Sequence, residues 1–256
     1  MHPYLDGPYP RAFAHRGWHL GETAGMENSM LALRRAVDEG FTYLETDVHA
    51  TSDGVVVVHH DFAMDRTTDG RGLVAEQPWS SVRAAKVSGV DPVCRLEDVL
   101  EELPQALINV DVKSDHTVSP VLELLRRTNC WHRVCLASFS EQRLTRLRAA
   151  GGPRLLTSLG PRSAVALRMR SWMPWLRPTP LLRGRPAQLP RRRGRLVVVD
   201  PALLRYAHRY DIEVHVWTVD TAPEMTELLD LGVDGLVTDR PDLLRAVLRE
   251  RGAWPA

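Results

Sequence analysis

The second half of the chain alternates strand-like with helix-like segments, and this alternation limits the possible folds more than any other feature of the sequence. Strands are predicted at 106–113, 134–139, 154–159, 196–199, 213–219 and 235–238. Segments with helical spacing of apolar residues follow all of these strands except the one at 154–159. Repeated strand–helix units of this length form a parallel sheet with right-handed crossovers.

Three further strands are predicted in the first half, at 11–14, 43–48 and 55–60, and the last two form a hairpin. The resulting nine strands exceed by one the eight of a TIM barrel, so we assign the surplus strand to an arm of the hairpin. We predict a distorted TIM (β/α)₈ barrel, with residues 1–256 as a single domain. An open doubly wound sheet is the alternative, but no Gly-rich nucleotide loop follows the first strand.

The hairpin concentrates the candidate chemistry. Glu45 and Asp47 lie two residues apart in a strand, which puts both carboxylates on one face. Asp53-Gly54 predicts a two-residue turn, and that register places Asp47 opposite His60. Paired carboxylates suit Mg²⁺ or Ca²⁺, and a neighbouring histidine can act as a general acid or base.

The other two histidines of the hairpin receive different predictions. His59, next to His60, should point to the opposite face of its strand and is predicted to be structural. His49 alternates in phase with Glu45 and Asp47, so an approach to the site is one of two alternatives for it.

Polar residues also mark two other predicted strands. His15, Arg16 and Gly17 end the first strand, which is where α/β folds place their chemistry. Asn109, Asp111 and Lys113 alternate along one side of the strand at 106–113. Since barrel strands bury both faces, three polar residues on one face are better explained by a site than by a dry core.

The composition of the chain limits the cellular compartments and binding partners that we expect for it. The 256 residues carry a net charge of +1, which indicates no general attraction to nucleic acid or membrane. Three cysteines predict reduced thiols rather than a disulfide framework. The N-terminus does not resemble a signal peptide, and we expect a cytoplasmic protein.

Charge is distributed unevenly, because no Asp or Glu occurs between Glu141 and Asp200. An irregular section at about 160–195 combines Arg with Trp at 170–177 and contains Arg191-Arg192-Arg193. This pattern suggests a membrane-surface or anionic-substrate patch, with a solvated basic loop as the equal alternative. Without a recognisable nucleic-acid-binding module, we expect no nucleic-acid partner.

Several short motifs occur in a specific order. They are His15-Arg16-Gly17, Glu27-Asn28-Ser29, Glu45-x-Asp47-Val48, Thr51-x-Asp53-Gly54, His60-Asp61, Arg66-Thr67-Thr68, Asn109-x-Asp111-x-Lys113, Val216-Trp217-Thr218-Val219, Gly232-Val233-Asp234-Gly235 and Thr238-Asp239-x-Pro241. Each motif is weak alone, but the ordered set resembles the glycerophosphodiester phosphodiesterase family over nearly the whole chain. Two positions depart from the family pattern: Met26 replaces the usual Pro before Glu27, and Asp111 stands where Glu is usual.

The resemblance implies a TIM barrel with a divalent metal, Mg²⁺ or Ca²⁺, at its mouth. Glu45, Asp47 and Asp111 would be the metal ligands. His15 and His60 would be the catalytic histidines, and nothing in the sequence assigns acid and base between them.

Substrate binding is implied for four more residues. Arg16 and Lys113 would hold phosphate oxygens, Trp217 would form part of the glycerol wall, and Glu27 matches the family's Glu-Asn pair. The implied substrate is a small-molecule glycerophosphodiester, which is hydrolysed to glycerol 3-phosphate and an alcohol. The nucleophile would be the substrate's own glycerol hydroxyl or a water molecule.

Two rival functions stay open. The first is a lysophospholipase D-type activity with the same metal and histidines, which peripheral contact of the Trp/Arg section with the inner membrane face would favour. The second is a catalytically inactive barrel that acts as a binding module, for which the departure at Asp111 is the argument.

Overall fold

The computed structural model of the chain describes residues 2–173, 175, 182 and 186–254. Its strands are β1 (Arg11–His15), β2 (Tyr43–Ala50), β3 (Val56–Val58), β4 (Lys86–Val87), β5 (Asp91–Pro92), β6 (Leu107–Val112), β7 (Val134–Ala137), β8 (Leu156–Thr157), β9 (Ala187–Pro190), β10 (Arg192–Arg193), β11 (Leu196–Val197), β12 (Val214–Trp217) and β13 (Gly235–Thr238). Its α-helices are α1 (Met30–Asp38), α2 (Trp79–Val82), α3 (Leu96–Glu102), α4 (Val118–Thr128), α5 (Glu141–Gly151), α6 (Pro161–Ser171), α7 (Pro201–His208), α8 (Ala222–Leu231) and α9 (Pro241–Glu250). Short 3₁₀ turns lie at Pro3–Asp6, Gly21–Thr23, Val74–Glu76, Asp115–Thr117, Cys130–Arg133 and Gly152–Arg154.

Eight parallel strands form a curled sheet in the order β8-β7-β6-β2-β1-β13-β12-β9. Helices surround it, and a continuous apolar cluster fills the space between strands and helices. This arrangement confirms the predicted (β/α)₈ barrel. The short strand β3 pairs only with β2, which confirms that the surplus strand is an arm of the hairpin.

The ring has a seam between β8 and β9. Among the described residues no strand pairing joins these two strands, and one backbone hydrogen bond, from Leu159 N to the Pro186 carbonyl oxygen at 2.9 Å, bridges them. β8 is two residues long, and β9 begins directly after Pro186 and ends at Pro190.

The register of the hairpin differs from the prediction. Val48 pairs with Val58 and Ala50 with Val56, so Asp47 lies opposite His59 rather than His60. The connection has three residues, because the Thr51 hydroxyl accepts a hydrogen bond from the Val55 amide at 2.9 Å and so closes the loop. The predicted two-residue turn was therefore wrong by one position.

Other element predictions need correction around the seam. The strand predicted at 196–199 is absent from the barrel, since β11 pairs antiparallel with β10 outside it. The barrel position belongs instead to β9, which sequence reasoning missed, as it missed α6. Helix α2 ends at Val82 and is followed by the short strand β4.

The N-terminal residues cover the end of the barrel at which the strands begin. Tyr4 and Leu5 are buried there, and the Tyr43 hydroxyl donates a hydrogen bond to the Tyr4 carbonyl oxygen at 2.7 Å. The buried Arg11 guanidinium donates to the Glu213 carboxylate at 2.9 Å and to the carbonyl oxygens of Leu5, Gly7 and Pro8. This N-terminal stretch is therefore part of the packed structure.

The basic section is partly described. Val165 and Met169 on α6 and Trp172 directly after it are exposed and follow one another at helical spacing, and Trp175 is also exposed. The remaining part of the predicted Trp/Arg stretch, including Pro174, Arg177, Pro178 and Pro180, lies outside the described residues. In the part of the chain that the structure describes, no helix has the length and apolar character needed to cross a bilayer.

Candidate functional site

A cavity of about 190 Å³ opens at the end of the barrel where the parallel strands finish. Its lining residues come from most of the strands and the loops that follow them. They are His15, Arg16, Glu45, Asp47, His60, Asn109, Asp111, Lys113, Ala137, Phe139, Gln188, Trp217, Thr218 and Val237.

Four charged side chains crowd one side of the cavity. The Lys113 ammonium lies 2.7 Å from Asp47 Oδ1 and 2.8 Å from Asp111 Oδ2. Glu45 and Asp111 are almost completely buried, and Asp111 Oδ1 has no hydrogen-bond partner. The register explains the grouping, since β2 and β6 pair in parallel with Asp47 opposite Asp111.

Burial and the neighbouring charges shift the pKa values of the three carboxylates in different directions. Burial raises the pKa of Glu45, and the nearby charge of Asp47 raises it further. Burial also raises the pKa of Asp111. Burial would raise the pKa of Asp47 as well, but the cations of Lys113 and Arg16 outweigh it and hold this pKa below its ordinary value.

These carboxylates have the donor chemistry of a site for a hard divalent cation. Three carboxylates face two cations, and one buried carboxylate oxygen has no partner. Oxygen ligands of this kind suit Mg²⁺ or Ca²⁺. In the conformation of the described residues, Lys113 sits between two of the carboxylates, and no group of three or more His, Cys, Asp or Glu side chains forms a ready metal-binding set.

Asn28 fixes the position of Asp47, a role that the sequence analysis did not assign. The Asn28 Nδ2 donates to Asp47 Oδ2 at 2.8 Å, and Asn28 Oδ1 accepts from the Thr46 hydroxyl at 2.7 Å. Asn28 has a φ of 58°, and Asn is one of the few residues that readily adopts this left-handed conformation. Helix α1 is capped instead by Ser29, whose hydroxyl accepts from the Ala32 amide.

The carboxylate of Asp239 holds the imidazole ring of His15 through its Nδ1 atom. Its Nδ1 lies 2.6 Å from Asp239 Oδ1, while its Nε2 lies 3.6 Å from Glu45 Oε2. Burial would lower the pKa of His15, but Glu45 and Asp239 outweigh it and raise this pKa. Asp239 directly follows β13, so the rule that chemistry sits where barrel strands end could have identified it.

The chain turns sharply after His15 to bring Arg16 over the carboxylates. Gly17 has a φ of 85°, and a Cβ there would lie 2.7 Å from the Ala32 backbone, so only glycine fits. The Arg16 amide donates to the Glu45 carbonyl oxygen at 2.9 Å, and its guanidinium Nε lies 3.2 Å from Asp47 Oδ2.

A chain of ion pairs joins Arg16 to His60. Glu27 accepts from Arg16 at 2.8 Å and from Arg66 at 2.7 Å. Arg66 also contacts Asp61 at 2.5 Å, and Asp61 Oδ1 lies 2.5 Å from His60 Nδ1. Glu27 does not line the cavity, so its contacts support a role in holding Arg16 rather than direct contact with substrate.

The remaining hairpin histidines lie behind the cavity. His59 is buried, with its Nε2 3.0 Å from the Ala63 carbonyl oxygen, as expected for a structural residue. His49 does not line the cavity, and its Nε2 lies 3.1 Å from the His60 carbonyl oxygen. Burial lowers the pKa of His49 to about 4.

The opposite side of the cavity is aromatic, and its deepest part is polar. The rings of Phe139 and Trp217 pack edge to face with centroids 5.5 Å apart. Below them, Gln188 Nε2 donates to Asn109 Oδ1 at 2.8 Å. Neither Phe139 nor Gln188 was singled out from the sequence, because no recognised motif contains them.

The structure thus brings eight of the nine predicted site residues around one cavity, with Glu27 in contact behind it. Cations beside carboxylates can hold an anionic group, and two histidines that line the same cavity can exchange protons with it. An aromatic wall with a polar base suits a small polyol next to that anion.

A comparison with protein families gives one match over most of the chain. The model described as the glycerophosphoryl diester phosphodiesterase family matches residues 15–243. The chain is also 38% identical over 253 residues to a probable glycerophosphodiester phosphodiesterase 2 of Mycobacterium tuberculosis, which covers 95% of this chain and 92% of that protein. It is 25% identical over 280 residues to a lysophospholipase D of Rattus norvegicus, covering 95% and 87%.

Solved structures share the fold. A phosphodiesterase of Oleispira antarctica, solved with the product sn-glycerol-3-phosphate, superimposes with a TM-score of 0.75 at 18% identity, covering 96% of this chain and 99% of that one. A glycerophosphodiester phosphodiesterase of Agrobacterium tumefaciens gives a TM-score of 0.75 at 24% identity, covering 93% and 99%.

Proposed function

This chain belongs to the glycerophosphoryl diester phosphodiesterase family, and from this premise we propose that it hydrolyses glycerophosphodiesters to glycerol 3-phosphate and an alcohol, with a divalent metal and two histidines. The observation that carries the proposal is the convergence of His15 and His60 on one cavity with Arg16, Lys113 and the carboxylates. The product-bound phosphodiesterase of Oleispira antarctica supports the class of substrate.

The carboxylates account for the proposed metal. Glu45, Asp47 and Asp111 would hold Mg²⁺ or Ca²⁺, and the unpartnered Asp111 Oδ1 is available for it. Asp111 is one methylene shorter than glutamate, and its partnerless oxygen nevertheless faces the same group of charges. When bound, the cation neutralises a phosphate oxygen and stabilises the charge of the transition state.

The chain's own cations would share that task. Arg16 is held by Glu27 and Lys113 by Asp47 and Asp111, so each cation is positioned before a diester enters. Charge-assisted hydrogen bonds from both to the non-bridging oxygens would orient the phosphorus.

The two histidines would divide the proton transfers. One takes a proton from the attacking hydroxyl, whether of glycerol or of water, and the other protonates the leaving alkoxide. Transfers of this kind contribute about 10²–10⁴ each to the rate. Asp239 and Asp61 contact the Nδ1 atoms of His15 and His60, which leaves each Nε2 to face the reacting atoms.

The test is release of glycerol 3-phosphate from glycerophosphocholine and glycerophosphoethanolamine with Mg²⁺, with Ca²⁺ and with EDTA. We expect metal-dependent release that is lost in His15→Ala and in His60→Ala. His132→Ala, which removes an exposed histidine on the turn before β7, is the matched control. Near-wild-type turnover in either site variant with metal present contradicts the two-histidine mechanism, and unchanged turnover in EDTA contradicts the metal.

The second candidate is lysophospholipase D activity. The similarity to the rat lysophospholipase D favours it, as does the exposed stripe of Val165, Met169 and Trp172 on and directly after α6. We propose that the protein is cytoplasmic and that this stripe makes peripheral contact with the inner face of the membrane. Choline release from lysophosphatidylcholine, measured beside glycerophosphocholine, separates the two activities.

A further inference from the structure

The deepest part of the cavity holds a pair of amides with unused hydrogen-bonding capacity. Asn109 comes two residues before Asp111 on β6, and Gln188 pairs with His215, two residues before Trp217 on β12. Asn109 therefore lies level with Glu45, and the two amides lie one inward-facing position deeper than Asp111 and Trp217. We call Asn109 and Gln188 the amide floor.

Two of the four side-chain polar atoms of the amide floor remain available. Among the described residues, the side chains of Asn109 and Gln188 make one hydrogen bond, which Gln188 Nε2 donates to Asn109 Oδ1. Asn109 Nδ2 and Gln188 Oε1 take no part in that bond, and both residues line the cavity. The floor thus offers donors and an acceptor side by side.

This chemistry matches an alcohol. A hydroxyl donates one hydrogen bond and accepts others, so it can satisfy an amide oxygen and an amide N–H together. A quaternary ammonium head group can do neither, and an alkyl chain would leave both amides unpaired. The glycerol end of a diester is therefore the end that fits the floor, with its phosphate at Arg16 and Lys113, which line the same cavity.

A packed aromatic pair adjoins the amide floor. His215, level with Gln188, and Phe13, two residues before His15 on β1, are completely buried, with ring centroids 5.0 Å apart. A group attached to the hydroxyl that reaches the floor would have to enter this packed layer.

We propose that Asn109 and Gln188 read the free terminal hydroxyl of glycerol, and that the site consequently accepts deacylated glycerophosphodiesters and rejects lysophospholipids acylated at that hydroxyl. The inference rests on the proposed function and names its substrate class. It makes Gln188 and Asn109 specificity-determining residues.

The test compares choline release from three substrates by one coupled assay. They are glycerophosphocholine, the phosphocholine diester of 1,2-propanediol and 1-acyl lysophosphatidylcholine. The propanediol diester lacks the terminal hydroxyl but keeps the hydroxyl next to the phosphoester carbon, so loss of an internal nucleophile cannot explain a difference. We expect wild-type kcat/KM to be roughly 10- to 100-fold higher for glycerophosphocholine than for the propanediol diester, from the cost of unpaired amides, with no measurable release from the lysophospholipid.

Gln188→Met removes the amide at nearly constant side-chain volume. We expect it to lower kcat/KM for glycerophosphocholine by about the same 10- to 100-fold and to leave the propanediol diester within about threefold of wild type. Gln142→Met, on the exposed face of α5, is the matched control. A preference that persists in Gln188→Met, or wild-type release from the lysophospholipid at a comparable rate, overturns the inference while leaving the proposed hydrolysis intact.

A binding measurement covers the remaining case. If the wild type releases choline from none of the three substrates, the proposed function fails, and calorimetric binding of glycerol 3-phosphate and of 1,2-propanediol 1-phosphate still examines the amide floor. Preference for the glycerol phosphate that disappears in Gln188→Met supports the reading of the hydroxyl, and equal affinities refute it.

Discussion

Replacing Arg11 by Met should destabilise the fold strongly without touching the cavity. Arg11 and Glu213 form a buried ion pair below the barrel, with side-chain exposures of 6% and 16%. Arg11 also donates to three carbonyl oxygens of the N-terminal residues, so it joins that segment to β12 through the residue preceding the strand. Its loss would leave a buried carboxylate and several carbonyl groups without their donor.

The magnitude follows from the carboxylate. Burial opposes ionisation of Glu213, but hydrogen bonds from His215 and Arg11 outweigh it and lower its pKa from 4.5 to about 2. At about 1.4 kcal/mol per pH unit, this difference corresponds to roughly 3 kcal/mol of folding free energy at neutral pH. Removal of one partner of a buried pair typically costs about 3–5 kcal/mol, and we expect Arg11→Met to fall in that range.

The sign of the pH dependence is fixed by the lowered pKa. The contribution of ionised Glu213 is fully present above pH 4.5 and is lost as the pH falls towards 2. The difference between wild type and Arg11→Met should therefore narrow between pH 6 and pH 3.

The assay is urea unfolding followed by tryptophan fluorescence at several pH values. Arg154→Met, an exposed arginine on the turn before β8, should change the unfolding free energy by less than about 0.5 kcal/mol. Replacing the pair together, as Arg11→Met with Glu213→Leu, should recover part of the loss. A loss below about 1 kcal/mol for Arg11→Met, or one that stays constant from pH 6 to pH 3, refutes the reasoning.

Three further predictions concern the site and the surface. Asp239→Asn should lower kcat by about 10²–10⁴ with little change in KM, because it leaves His15 without its orienting carboxylate; unaltered kcat would show that His15 needs no such support. Arg66→Gln breaks the contacts between Glu27 and Asp61 and should lower kcat/KM by about 3- to 10-fold, and an unchanged value would mean that the chain of ion pairs does not position the site. Trp172→Glu should abolish co-sedimentation with phosphatidylglycerol vesicles while soluble-substrate turnover stays normal, and wild-type protein that ignores such vesicles would remove the membrane contact.

The sequence predicts the barrel well where strands are apolar and regular. The alternation in residues 106–113 correctly placed Asn109, Asp111 and Lys113 on the cavity side. β9 escaped prediction because its sequence, Ala-Gln-Leu-Pro, lacks β-branched residues and is bordered by proline. The apolar Leu196–Val197 segment was predicted as the barrel strand instead of β9, because local propensity cannot reveal which strand enters the ring.

Local turn chemistry explains the wrong hairpin register. The Asp53-Gly54 signal is genuine, since Gly54 has a φ of 82°, but the Thr51 hydroxyl bonds to both Asp53 and the Val55 amide and enlarges the loop to three residues. His60 still reaches the cavity, because β3 ends at Val58 and the chain beyond it leaves the predicted ribbon. The candidate site was thus reached through an incorrect register.

Residues that support the site were harder to foresee. Asn28 and Asp239 act through contacts that join positions 19 and 224 residues apart in the chain. Motif order placed them near functional residues, but only the folded arrangement shows that one holds Asp47 and the other holds His15.

The seam between β8 and β9 also bears on intermolecular β-pairing. An incompletely paired barrel exposes edge strands, whose free amides could template a β-ladder with another molecule. Here one edge is only two residues long, and the other is bordered by Pro186 and contains Pro190, which have no amide hydrogen to donate. Edges of this kind leave few free amides for β-pairing with another molecule. Substitutions that replace these prolines would therefore create an aggregation site in an otherwise intact barrel.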